Sequence, residues 1–404
     1  MFNVSTLKPT WSRKPILGAL VAVFVILLLE LLLRIGAFVW YDYSQFYLYH
    51  GFTTGAGKLG INPGTTNDGR HYKFPPNYVL RGAAGQSDET AAINSLGFRG
   101  PEFERTKPPG TFRVVCLGES STFGFHNTDS ETYPLLLGDL FRERPGSTKV
   151  EVINAGFPYY NSGSILSLLQ AEILSLDPDI LTVYSAYNDV HWPFEMGAVE
   201  RFTSWLRDHS VTYLLMKETI LKDEFGAMTN RRVDRKSFEA QTSRVVARYK
   251  ANYEQIIAAA RSNGIPIIFI KQPMTARYTH IKERNYTRTY EEEYKSIVRK
   301  LDANRKLSPV ELQILVHHRL VDELAATARR EHIELVDNIA ILDRDRRLMA
   351  SAVHLTGEAN LNLAKALKPV IEKHLPEHTS LTSDSKSLDV PASHLIRPAV
   401  HSAR

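Results

Sequence analysis

The sequence predicts an α/β protein: a flavodoxin-like three-layer sandwich with a parallel five-stranded sheet, preceded by one transmembrane helix. Three observations carry this. Five short apolar runs, FRVVCLG (112–118), KVEVINAG (149–156), ILTVYSAY (180–187), IPIIFIKQP (265–273) and IELVDN (333–338), are nearly continuous, as suits strands buried on both faces. Stretches of helical spacing alternate with them, which implies parallel strands joined by covering helices. Near the N-terminus, ILGALVAVFVILLLELLLRIGAFVW (16–40) is long enough to cross a bilayer as one helix.

The first element is that apolar run. Glu30 and Arg34 would each cost roughly 2.5 to 3.5 kcal/mol at the bilayer centre, against about 0.3 to 0.6 gained per Leu, Ile, Val or Phe, so the run still inserts. The two charges stand four apart on one helical face and can pair. Lys8, Arg13 and Lys14 precede the run, and no Lys or Arg follows its end until Lys58, so 1–15 is expected in the cytoplasm. Trp40, Tyr41, Tyr43, Phe46, Tyr47 and Tyr49 suit an interfacial belt on the far side. The membrane is thus an expected partner, through a signal anchor at 16–40 in the inner membrane, with the remainder periplasmic or at the cell surface.

Residues 41–110, rich in Gly, Pro and polar residues, read as a juxtamembrane linker and lead-in segment. The main domain is expected over 111–376. Its helices are YPLLLGDLFRER, SGSILSLLQAEILSL, VVARYKANYEQIIAAARSNG, PVELQILVHHRLVDELAATARREH and GEANLNLAKALKPVIEKHL, the last with Leu361, Ala364, Leu367 and Ile371 on one face. Insertions at 191–238 and 274–306 leave the carboxyl ends of strands, where a lid or substrate wall belongs. The second holds Arg277, Tyr278, Lys282, Arg284, Tyr286, Arg288 and Tyr290, which read either as a sugar- or polyanion-facing set or as a solvated helical face. The Ser/Thr-rich tail, 377–404, reads as disordered.

A net charge of +5 over 404 residues, without a Lys/Arg stripe interleaved with aromatics, argues against nucleic acid as a partner. Cys116 is the only cysteine, so no internal disulfide and no cysteine metal site can form. No cofactor or metal is expected.

The chemistry is expected at the carboxyl edge of the sheet. Ser120 follows the first strand in VCLGESSTFG, Gly156 ends the second, Asn188 follows the third, and His354 stands before the last helix. Acyl transfer needs a hydroxyl nucleophile, a base and donors for the developing oxyanion. Ser120 would attack from a turn where Gly118 and Gly124 permit close approach. His354 would be base and then acid, and the N–H groups of Ser120 and Gly156 with the Asn188 amide would form the oxyanion hole.

These blocks resemble the SGNH hydrolase superfamily, the GDSL-type esterases and lipases, in its membrane-anchored bacterial form. GESSTFG resembles the first block, with Ser120 at the nucleophile and Glu119 where Asp is usual. NAGFPYYNSG resembles the second, SAYNDV the third and SAVHLT the fifth, placing Gly156, Asn188 and His354 at the oxyanion glycine, oxyanion asparagine and catalytic base. INSLGFRGPEF is similar to a lead-in of the membrane-tethered members. The resemblance implies a serine esterase acting on an ester or an acylated carbohydrate. Alternatives are an O-acyltransferase working with a membrane protein partner and a non-catalytic carbohydrate-binding protein. One position departs from the pattern: Ser351 stands where the family has the triad Asp. The third member is therefore Ser351 itself, Asp343 or Asp345, or catalysis is lost.

Overall fold

The computed structural model describes residues 13–40, 79–81, 90–143, 148–190, 232–275 and 288–376, with five single positions between 202 and 213. Residues 1–12 and 41–78, most of the first insertion, Arg277 to Tyr286 in the second, and the 377–404 tail lie outside the described residues.

The apolar run forms α1 (Arg13–Trp40). Its segment Leu17–Ile35 has a mean hydropathy of 2.6 and is long enough to span a membrane. A two-stranded antiparallel ribbon of β1 (Val79–Arg81) and β2 (Thr90–Ala92) comes next. The expected alternation then runs β3 (Thr111–Gly118), α2 (Ser120–Phe123), α3 (Tyr133–Arg142), β4 (Lys149–Gly156), α4 (Ser162–Ala171), β5 (Ile180–Tyr184), α5 (Arg235–Ser262) and β6 (Ile267–Ile270). It closes with α6 (Tyr290–Asp302), α7 (Pro309–Glu331), β7 (Glu334–Val336), α8 (Asn338–Leu342) and α9 (Gly357–Glu372).

The five strands pair in parallel in the order β4-β3-β5-β6-β7, the flavodoxin-like order. Period-two alternation along β3 sends Val115 and Leu117 into one core with α4, α5 and α7, and Val114 and Cys116 into the other with α3 and α9. Cys116 is core packing, its thiol pushed up to about 12 by burial. The order places a switch point between β3 and β5, the position at which open α/β sheets bind their ligands.

Helix starts follow local chemistry. Thr289 and Ser308 close capping boxes with Glu292 and Glu311, and Pro309 pre-sets the first turn of α7. One insertion boundary shifts, and the other insertion holds a helix. α5 begins at Arg235, capped by Asp234, inside the stretch read as the first insertion. α6 lies inside the second, and its Tyr290 is buried with its hydroxyl 2.6 Å from His317 Nδ1. Tyr290 is therefore a packing residue and cannot face a substrate.

The folded body also begins before residue 111. Ala91, Ile93 and Phe98 are buried in the core. The buried Arg99 donates to the carbonyls of Phe123, Gly124 and Asn127 and to Asp129, so it holds the carboxyl end of α2. Arg113, fully buried, donates to the Glu104 and Arg105 carbonyls at the opposite edge. Arg99→Met removes the buried guanidinium that ties Phe123, Gly124, Asn127 and Asp129 together, and is expected to destabilise the domain by about 2 to 3 kcal/mol, read by denaturant unfolding of the full chain in detergent.

Candidate active site

The turn after β3 exists because two strand ends admit it. A Cβ at Gly118 would lie 2.0 Å from Thr122 Oγ1, and one at Gly156 would lie 2.3 Å from the Phe123 nitrogen, so α2 rests directly on β3 and β4. This seats Ser120 at the first position of α2, with its N–H at the open helix start. Ser121 is buried; its Oγ donates to the Val353 carbonyl (3.3 Å) and accepts from Gln272 Nε2 (3.0 Å). It ties loops together, and Ser120 is left as the candidate nucleophile.

His354 reaches the same point from the far end of the chain. Its Nε2 is 2.8 Å from Ser120 Oγ. Its loop is a tight antiparallel turn bridging Met349 and Leu355, with the Ala350 N–H donating to the His354 carbonyl. Ser121 and Asn127 hold the Val353 and Leu355 carbonyls from the nucleophile side, and the Thr275 N–H holds that of Ala352. The imidazole pKa is pushed down to about 3, first by burial and second by the neighbouring His126, whose ring centroid is 5.0 Å away.

Of the expected oxyanion donors, Ser120 stands at the start of α2, Asn188 lies in the turn after β5 and Gly156 ends β4. The Gly156 N–H donates to Asn154 Oδ1 at 3.0 Å, so this glycine supplies room under α2 and its hydrogen is engaged elsewhere. Asn188 spends one amide hydrogen on the Tyr160 carbonyl (2.8 Å), which orients the other. The loop supplying that carbonyl turns at Tyr159 with a positive φ of 63°, an outlier of the kind that concentrates at functional sites.

Two buried carboxyls build this edge. Glu119 accepts from the backbone N–H groups of Tyr187 (3.2 Å) and Asn188 (3.0 Å), and at longer range from Ala186. Burial pushes its pKa up to about 8 against those donors and Gln272. Asp189 accepts from the Ser162 N–H and hydroxyl, fixing the start of α4, and burial pushes it up to about 6. The sequence offered no sign that Glu119 or Gln272 braces the Asn188 loop, because their partners lie far off in the chain.

Asp343 and Asp345 do not reach the histidine. Asp343 accepts from the Tyr290 N–H and Arg346, and Asp345 from the Arg347 N–H and guanidinium. The group on His354 Nδ1 is Ser351 Oγ, at 2.7 Å. Among the described residues no cluster of His, Cys, Asp and Glu could hold a metal ion.

The model of the GDSL-like lipase/acylhydrolase family matches residues 116–360, more than half of the chain. The protein belongs to this family. Similar solved structures include a lipase/acylhydrolase from Enterococcus faecalis (16% identity, 66% of this chain and 97% of that one, TM-score 0.39). A GDSL-like lipase from Bacteroides thetaiotaomicron is 15% identical over 68% of this chain and 93% of its own, with a TM-score of 0.37. The acetyl xylan esterase AlAXEase is 12% identical over 64% and 100%, with a TM-score of 0.39. No curated protein matches the chain.

For a GDSL-like acylhydrolase, Ser351 changes how the proton is held. Its Oγ already accepts from the N–H groups of His354 (3.1 Å) and Val353 (3.4 Å), which occupy its lone pairs. Its one hydroxyl proton therefore points to His354 Nδ1. A neutral imidazole that accepts at Nδ1 carries its own proton on Nε2, so with the Ser351 hydroxyl donating, Nε2–H would donate to Ser120 Oγ. A carboxylate, having no proton to give, would force the reverse. For Nε2 to accept a proton from Ser120 Oγ, the imidazole proton would have to sit on Nδ1 and the Ser351 hydroxyl would have to turn to accept it.

Proposed function

We propose that this GDSL-like acylhydrolase is a membrane-anchored, extracytoplasmic serine esterase that removes an acyl group from a small ester or an acylated carbohydrate. Ser120 Oγ attacks the acyl carbonyl. His354 Nε2 takes its proton and returns it to the departing alkoxide, leaving an acyl-serine that water then hydrolyses by the same base. The Ser120 N–H and the Asn188 amide face the developing oxyanion. The observation that carries this reading is the 2.8 Å contact between Ser120 Oγ and His354 Nε2 at the sheet's carboxyl edge. The anchor is supported by the apolar span Leu17–Ile35.

The Ser351 hydroxyl on Nδ1 favours a second reading, in which the pocket binds an acyl ester without turning it over. One experiment separates the two. The full chain in detergent is given a chromogenic acetyl ester and, separately, a fluorophosphonate whose adduct is mapped by mass spectrometry. Turnover together with an adduct on Ser120 supports the esterase; turnover with the adduct elsewhere overturns the role of Ser120. Neither turnover nor adduct leaves the binding protein.

A further inference from the structure

Glu30 stands within an apolar span, where a lone carboxylate is costly. Its oxygens are instead fully engaged. Oε1 accepts from Arg34 Nε at 2.8 Å, while Oε2 accepts from Ser210 Oγ and from the Thr212 N–H, both at 2.9 Å. Ser210 Oγ in turn accepts from the Tyr213 N–H at 3.1 Å, so the serine links the carboxylate to the Tyr213 backbone while the Thr212 N–H reaches it directly. Burial marks the same stripe. Between Leu17 and Ile35, Glu30, Leu33 and Arg34 are partly covered, at the i, i+3, i+4 spacing of one helix face, and the remainder are exposed.

Ser210 and Thr212 belong to the segment inserted after β5, which leaves the sheet directly beyond Asn188. We infer that α1 is a permanent docking partner of that segment, pinned through the Glu30 carboxylate. This rests on the reading of α1 as a retained anchor. Loss of the helix would remove the acceptor from Ser210 and Thr212, so a cleaved leader does not fit the contact. Glu30 lies five residues from the outer end of the span, roughly 7 to 8 Å along the axis, so the pinned segment meets the helix near the outer interface. Ser210 and Thr212, which follow the candidate active site in the chain, are thereby moored beside the membrane anchor.

The test uses the full chain in native membranes, where Cys116 is buried and does not compete for thiol reagents. Leu33→Cys with Tyr213→Cys, treated with a short bis-maleimide, is expected to give an intramolecular cross-link at several times the yield of Leu32→Cys with Tyr213→Cys, which starts from the exposed face. Adding Glu30→Leu is expected to cut that yield several-fold, and Glu30→Gln, which keeps one acceptor, to cut it less. Equal yields from both faces, or a yield indifferent to Glu30→Leu, overturn the docking while the anchor stands. A membrane-fraction mass lacking residues 1–40 overturns the anchor and the docking together.

Discussion

Ser351→Asp is expected to raise kcat on a chromogenic ester by about 10² to 10⁴, the range set by the cost of an imidazole held in the wrong tautomer elsewhere. The carboxylate would accept the His354 and Val353 N–H groups that Ser351 Oγ accepts now, and would also require a proton on Nδ1. That leaves the Nε2 lone pair facing Ser120 Oγ and stabilises the imidazolium once formed. The pH profile should move with it. With the His354 pKa pushed down to about 3, the base stays neutral and the acid limb of kcat/KM in the natural sequence should lie near that pH, far below the ordinary histidine value. A negative charge on Nδ1 favours the protonated ring, so in Ser351→Asp the limb should shift upward. Ring ¹⁵N shifts at neutral pH give an independent readout: Nδ1 unprotonated in the natural sequence, protonated in the variant. An unchanged tautomer with an unchanged kcat would refute the account of Ser351.

Glu119→Ala is expected to lower kcat by about 10² to 10³, the loss that follows removal of one oxyanion donor, because it frees the loop that presents Asn188. It should also destabilise the fold by about 1 to 3 kcal/mol, because the Asn188 N–H loses its acceptor while that of Tyr187 keeps Gln272 Oε1. Glu119→Asp is too short to reach both Tyr187 and Asn188 and should behave similarly. Glu119→Gln supplies the pH check. The folded pKa is raised from 4.5 to about 8, so stability from this group is present below the unfolded value and declines as pH rises through 8. That decline should be shallower in Glu119→Gln, measured as the difference between denaturant midpoints of the two proteins from pH 5 to 9. Unaltered kcat and midpoint in Glu119→Ala would remove Glu119 from the site.

The fold was readable because its signals are local. Val114 to Leu117 is apolar on both faces, Gly118 and Gly156 end strands that need room, and Ser308-Pro309 with Glu311 announces a helix. The meeting of Ser120 with His354 at the carboxyl edge followed from strand direction together with the family's blocks. What escaped depends on partners outside any periodicity. The Asn154 side chain turns back to take the Gly156 N–H, and Arg99 reaches across to the carbonyls at the end of α2. Gln272 joins Tyr187 to Ser121. The role of Ser351 required counting the hydrogens around one oxygen, which no spacing rule can do. Tyr290 matched a sugar-facing pattern, yet the amphipathic face of α6 buried it.

The contact between Ser120 and His354 spans 234 positions of the chain. Closing a loop of that length costs about 5 kcal/mol in chain entropy, and the stabilisation that offsets it comes from Leu363, Leu367 and Ile371 packing against Tyr133, Leu137 and Phe141. Every sheet strand is synthesised before His354 emerges. A chain that ends before residue 354 therefore holds every strand of the sheet but lacks both the proposed base and the helix that covers one face of the core.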